Sequence, residues 1–240
     1  MASPLQQFEI KTIASAHVGG VNVSFTNSSL FMLIAITAIT AFLVIGVRKR
    51  AMVPGRMQSL AELSYEFIAG LVRDNVGHAG RAYFPFIFTL FMFILFCNTI
   101  GLIPYTFTVT SHIIVTFALA AIVFIGVTII GIARHGMKWF SYFFPPGAPL
   151  YMAPLLVPIE VLSYLARPVT LSLRLFANMM AGHTMLKVFA GFVIALGLFG
   201  VAPLVILIAL YMLELIVAVL QAFVFTILTC LYLHDALHLH

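Results

Sequence analysis

Long apolar runs alternate with short polar stretches along most of the chain. Leu30 to Val47 is an uncharged apolar run, long enough for the core of a membrane-spanning helix. It ends on Arg48, Lys49 and Arg50 and, after a Pro54-Gly55 turn, Arg56. The positive-inside rule puts that cluster on the cytoplasmic or matrix side and the N-terminus opposite. Further spans are predicted over 83–104 and 113–133. In the first, Asn98 and two threonines are the hydrogen-bonding interruptions after Tyr83; in the second, Thr116 and Thr128. Pro104 and the polar stretch Thr108 to His112 mark the turn between them, and Arg134, His135 and Lys138 return the chain to the positive side.

Other segments carry other patterns. Residues 1–29 are mixed and polar and read as an interfacial segment. Over 57–76, Leu60, Leu63, Phe67 and Leu71 recur at helical spacing while Glu62, Glu66, Arg73 and Asp74 lie off that stripe. This predicts an amphipathic helix on the membrane surface or against a partner. Residues 139–150, with Pro145, Pro146, Gly147 and Pro149, read as a loop or a short re-entrant hairpin.

The stretch 154–237 does not fit an upright geometry. From Pro154 to about Gly197 the strong helix-breakers are Pro158 and Pro168, and a continuous helix there would be roughly 65 Å long. A second, from Leu204 to about Leu237, would be roughly 50 Å. A bilayer core is only about 30 Å thick, so the pair must tilt, bend or lie partly along the membrane plane. The turn between them falls at Gly197, Gly200 and Pro203. The expected fold is a single all-α, polytopic membrane domain: five membrane-inserted helices plus one amphipathic surface helix. Its last two helices are long and strongly tilted, its N-terminus outside and its C-terminus inside.

Composition agrees with that picture. The chain has 240 residues, 63% hydrophobic and 8% charged, where a soluble domain is nearer half apolar and a quarter charged. Its net charge of +5 comes from 12 lysines and arginines spread without a basic stripe, so it marks topology rather than nucleic acid. Cys97 and Cys230 sit in apolar runs far apart and read as small buried hydrophobes, not a disulfide. The N-terminus lacks a basic region followed by an apolar run, so no cleavable signal peptide is expected. No cofactor is expected either. His234 and His238 have metal-ligand spacing but fall on the expected tail, and no such histidine pair occurs within a span.

The ionisable residues carry the chemistry. Glu160, Arg167, Arg174, His183, Lys187, Glu214 and Asp235 all lie in the final hairpin, joined by Asn178 and Gln221, while the three earlier apolar cores have no charge. An arginine at the centre of a membrane helix costs roughly 2.5–3.5 kcal/mol even on the lenient insertion scale, so such a cluster usually marks an ion path. At 100° per residue, Arg167 lies roughly 20° from Arg174, and Glu160 and Asn178 each about 40° from it. His183 points to roughly the opposite side; Glu214, Gln221 and Asp235 share a face of the last helix. By depth, Glu160 lies toward the positive side, His183 and Glu214 toward the far side near the turn, and Arg174 between. Two groups of proton-exchanging side chains separated by an arginine that stays charged fit a pair of half-channels better than one continuous wire. That arrangement requires a mobile carrier with its own carboxylate. Blander readings stand beside this one: Lys187 as a snorkelling lysine, Arg167 as a structural or headgroup contact, Asp235 with His234, His238 and His240 as a solvated tail, and His183 with Glu214 as a merely structural pair. The rival function is a secondary transporter or antiporter-like respiratory subunit, which would usually show repeated halves.

Leu173-Arg174-Leu175-Phe176-Ala177-Asn178-Met179-Met180-Ala181-Gly182-His183 resembles the signature of subunit a of F-type ATP synthases. Weaker likenesses in the same order are Phe25 to Leu30, Asn98 before Gly101, Ile103-Pro104-Tyr105 and Leu220 to Phe225. Together they cover nearly the whole chain. The resemblance implies a proton-carrying stator subunit, without catalysis of its own, in a bacterial or mitochondrial inner membrane. Its implied partners are the rotating c-ring, peripheral stalk subunit b, other membrane stator subunits and lipid. Arg174 matches the family's essential arginine, Gln221 the glutamine facing it, Asn178 a neighbouring polar position, and Glu160 looks like the exit carboxylate. His183 and Glu214 match a pair that is Glu then His in some bacterial members. The exchange found here, as in mitochondrial-like chains, preserves one acid and one imidazole.

Overall fold

The computed structural model describes residues 9–15, 17–18, 21–22, 24–48, 53–103, 106–144 and 152–238. Lys49, Arg50, Pro104, Tyr105, the Pro145 to Pro149 stretch and His240 lie outside them. Among the described residues are six α-helices: α1 (Asn27–Arg48), α2 (Arg56–Val76), α3 (Phe84–Gly101), α4 (Ile113–His135), α5 (Ala153–Leu196) and α6 (Val201–Leu237). All but α2 are long and apolar enough to cross a membrane. The chain is therefore an all-α, polytopic membrane protein.

One departure from the all-α expectation lies before α1. β1 (Thr12–Ala14) pairs antiparallel with β4 (Phe25–Thr26), and β2 (His17–Val18) with β3 (Val21–Asn22), as nested hairpin strands. The sequence between β2 and β3 is Gly19-Gly20, a dipeptide that two-residue hairpin loops favour. Asn27 ties this ladder to α1. Its Oδ1 accepts from the backbone N–H of Ser28 (2.9 Å) and of Lys11 (3.2 Å), and its Nδ2 donates to the Glu9 carbonyl (3.1 Å). Thr26 caps the helix, its Oγ1 accepting from the Ser29 N–H at 3.4 Å, and α1 starts at Asn27, ahead of the expected Leu30.

The amphipathic helix α2 is two-faced in a way the apolar stripe concealed. It packs on the protein through Ala61, Ile68, Val72 and Val76, while Leu60, Leu63 and Phe67 are exposed. The two faces lie roughly 130° apart around the helix. The protein-facing side uses small and β-branched residues that permit close approach, and the larger side chains face outward, where a membrane surface would cover them.

The core is centred on the second half of α6. Ala222, Phe225, Cys230 and Leu233 meet Ile87, Leu90 and Ile94 of α3, Val123 and Val127 of α4, Leu171 and Leu175 of α5, and Ile68 and Val72 of α2. Cys97 and Cys230 are buried free thiols. Hydroxyls pin α4 to α5. Thr116 bonds the Ile113 carbonyl and Ser172 lies 3.1 Å from its Oγ1. Thr128 bonds the Phe124 carbonyl and Tyr164 lies 2.7 Å from its Oγ1. In each case the threonine proton is committed to its own helix, so the partner hydroxyl donates across the interface.

α5 runs for 44 residues and α6 for 37. At 1.5 Å per residue these are about 66 and 56 Å. Pro158 and Pro168 each remove one backbone bond without ending α5. A 3₁₀ turn at Gly197–Gly200 joins the two helices, and Pro203 falls inside the first turn of α6, where no intrahelical N–H is needed. Around that turn Ile194 (83%) and Phe199 (81%) are almost wholly exposed, an apolar surface that lipid or another membrane subunit must cover.

In a lipid-embedded structure, the axes of α5 and α6 are expected to incline to the membrane normal well beyond the average tilt of about 20°. Cryo-electron microscopy in nanodiscs measures this, and finding both axes within that average would overturn it.

Candidate functional site

The α5–α6 turn sets His183 and Glu214 at matching distances along the two antiparallel helices, so they face each other. His183 Nδ1 lies 3.4 Å from Glu214 Oε1, and both side chains are buried (7% and 3% exposed). Among the described residues neither Glu214 oxygen has a hydrogen bond of ordinary geometry. A buried carboxyl without a fixed donor is costly as a purely structural element, but it is free to exchange a proton. The other imidazole nitrogen is held: His183 Nε2 is 2.9 Å from Thr108 Oγ1, in the segment between α3 and α4.

Gly182 makes this approach possible. A Cβ there would stand 2.6 Å from Glu214 Oε1 and 2.9 Å from its Cδ, closer than non-bonded atoms come. The glycine beside His183 thus leaves room for the carboxyl against the α5 backbone.

Arg174 and Asn178 lie on the opposite, outward side of α5, and both are exposed. Leu173 beside Arg174 is also exposed, so the guanidinium stands on an apolar face open to a neighbour. Among the described residues Arg174 makes no side-chain hydrogen bond or ion pair, though its charge reaches Tyr232 of α6. Gln221 is buried on α6 and makes no direct bond to Arg174. Near it, Asn98 Nδ2 donates to the Ala218 carbonyl at 3.1 Å and joins α3 to α6.

A second charged cluster closes the other end of the hairpin and corrects one expectation. Asp235 is not a solvated tail residue: α6 ends at Leu237 as expected, and within it Asp235 is part-buried against Arg167. Arg167 Nη1 donates to Asp235 Oδ2 at 3.1 Å and Nη2 to the Tyr142 hydroxyl at 2.6 Å. Its guanidinium carbon lies 5.8, 5.4 and 5.0 Å from the ring centres of Tyr142, Tyr164 and Tyr232. Arg167 therefore bolts α5 to α6 through a carboxylate and an aromatic box, each cation–π contact being worth roughly 0.5–1 kcal/mol or more as water is excluded. Glu160, half-buried two turns before Arg167, is within electrostatic reach of Tyr142. The helical spacing that puts Asp235 on the face of Gln221 was the signal that it belongs to the hairpin. Tyr142 and Thr108 had no such signal, since both reach the hairpin from distant connecting segments. Among the described residues there is no group of three or more His, Cys, Asp or Glu able to hold a metal ion.

A family described as ATP synthase A chain matches residues 29–234. The chain belongs to this family. Similar proteins named ATP synthase subunit a include those of Rhodospirillum rubrum, 57% identical, and Paramagnetospirillum magneticum, 56% identical, each aligned over the whole of both chains. That of Pelagibacter ubique is 55% identical over 99% of this chain and 98% of its own. The signature around Arg174 and the paired His183 and Glu214 lie within the matched region.

Gly182→Ala is expected to push the Glu214 carboxyl off its seat and lower proton-driven ATP synthesis by about tenfold, the effect of a displacement near 1 Å being at least that large in a positioned site. Combining it with Glu214→Asp, which withdraws the carboxyl by about one C–C bond, ~1.5 Å, should recover part of the loss. Synthesis in reconstituted vesicles, normalised to assembled complex, checks both.

Proposed function

We propose that this chain is the proton-translocating stator subunit of an F-type ATP synthase, offering two offset half-channels to a rotating c-ring. The observation that carries the reading is the separation on α5 itself: a buried His183–Glu214 pair near the turn and an exposed Arg174 on the opposite side of the helix. Full-length relatives named ATP synthase subunit a favour it over a secondary transporter. The chain performs no phosphoryl chemistry of its own. It sits in a bacterial inner membrane, in keeping with its bacterial relatives, against the c-ring, peripheral stalk subunit b, the other stator subunits and lipid.

In this reading protons enter between His183 and Glu214, where a buried carboxyl and an imidazole pass them inward. They load a c-ring carboxylate, ride nearly a full turn, and leave past Glu160. Arg174 stands between the two routes. A guanidinium remains charged at any physiological pH, so it keeps a passing carboxylate ionised, offers it a planar fork, and blocks direct proton hopping between the half-channels. Its exposed position lets an outside carboxylate reach it. Asn178, one turn on, and Gln221, on α6, supply neutral polar groups around the arginine.

Arg174→Ala is expected to abolish coupled ATP synthesis, leave assembly largely intact and open a passive proton leak. Arg174→Lys should not restore full coupling, because an ammonium loses its proton when desolvated. A purely structural arginine would behave differently: its loss would lower assembled complex and synthesis in parallel with no new leak. Proton flux in proteoliposomes, normalised to assembled complex, separates the two, and normal coupled synthesis in the alanine variant would overturn the mechanism.

A further inference from the structure

The segment between α3 and α4 reaches the His183–Glu214 pair through Thr108, whose side chain is fully buried. Its Oγ1 lies 2.9 Å from His183 Nε2 and 3.3 Å from the Gly101 carbonyl. Thr108 is not carried on a loose loop. The Ser111 hydroxyl donates to the Thr108 carbonyl at 2.6 Å, and His112 stacks on Phe107 with ring centres 4.9 Å apart. A Cβ at position 101 would lie 2.8 Å from Thr108 Cγ2 and 3.1 Å from its Oγ1, so glycine there lets the end of α3 and this hydroxyl come together. The packing that seats Thr108 against α3 also aims it at the imidazole of α5.

A threonine hydroxyl has one proton and two lone pairs. A carbonyl oxygen only accepts, so the bond to Gly101 uses the proton. The oxygen is then left to accept, and what it accepts from His183 is an N–H. Both contacts are satisfied together only when His183 carries its proton on Nε2. The neutral ring then presents the bare Nδ1 lone pair to Glu214, 3.4 Å away. In the other tautomer Nε2 would be an acceptor, Thr108 would have to turn from Gly101 to serve it, and Nδ1–H would point at Glu214 with no lone pair to receive a proton.

We infer that Thr108 is a positioning residue for proton entry, fixing the orientation and tautomer of His183 so that Nδ1 accepts the proton that the Glu214 carboxyl gives up. This deepens the proposed function and rests on the assignment of His183 and Glu214 to the entry route. In the transfer the O–H bond of Glu214 breaks and the Nδ1–H bond of His183 forms, leaving a carboxylate and an imidazolium with no change in net charge. The imidazolium keeps its Nε2–H bonded to Thr108, so the hydroxyl holds both protonation states of the ring and does not itself move a proton. Lys187, one turn beyond His183 on α5, is a charged side chain whose field also acts on the imidazole.

The test uses the intact synthase in proteoliposomes. Thr108→Val keeps the shape and removes the hydroxyl; Thr108→Ser keeps the hydroxyl and removes a methyl. The valine variant is expected to lower proton flux and ATP synthesis per assembled complex about fivefold, the effect of one lost buried hydrogen bond, and the serine variant to stay close to the parent. Solid-state nitrogen NMR of the histidine-labelled complex should show His183 protonated at Nε2 in the parent and serine proteins, and mixed between the two nitrogens in the valine protein. Flux unchanged in Thr108→Val, an unchanged tautomer signal, or parallel losses in the valine and serine variants would each overturn the inference. His183→Ala is the control for the reading beneath it. If that variant keeps coupled flux, the entry assignment itself fails. If it loses flux while Thr108→Val does not, only the role of Thr108 fails.

Discussion

Ionisable side chains inside an apolar layer are costly unless each finds a partner or lines a wet path. The α5–α6 hairpin concentrates that cost. Its helices are much longer than a layer about 30 Å thick, and at the inclination expected of them a long stretch of both would lie within the membrane. Every ionisable residue on it therefore needs an account in the structure. Arg167 finds Asp235 and three tyrosine rings. His183 finds Thr108. Glu214 finds only a long contact with His183, and Arg174 faces outward. Glu214 and Arg174, neither with a side-chain hydrogen bond among the described residues, are groups the proposed transport mechanism would use, one for exchange with the interior route and one for a visiting carboxylate.

The other helices serve this hairpin. α3 and α4 hold its buried side through Asn98, Thr116 and Thr128. α2 supports α6 from below with small and branched residues while its larger apolar side chains face out. The Arg167 box fixes α5 to α6 two turns from Arg174, and the Gly182 contact fixes them again near the turn. Between these two fastenings α5 presents an open apolar face. In the proposed mechanism a rotor subunit would slide past that face, and the two fastenings would hold Arg174 at a constant position as it does so.

The sequence by itself determined the class and the inventory. Apolar run lengths dictated five spans because the bilayer thickness is fixed, and the concentration of charge on 154–237 singled out the hairpin proposed to carry protons, because buried charge is rare without purpose. Helical periodicity put Arg174 and His183 on opposite sides, and equal distance from the glycine-rich turn put His183 beside Glu214. Local arithmetic suffices for these, since a helix obeys the same geometry wherever it sits. What only the tertiary structure decided were contacts between segments distant along the chain. Thr108 read as part of a turn, yet it bonds a histidine 75 positions away. Tyr142 and Asp235 were unrelated residues until Arg167 brought them together. The face of α2 that packs inward was not the Leu60, Leu63 and Phe67 stripe. No periodicity encodes such pairings, because they depend on which helices become neighbours and how closely they approach, and here two glycines, at 101 and 182, set that approach.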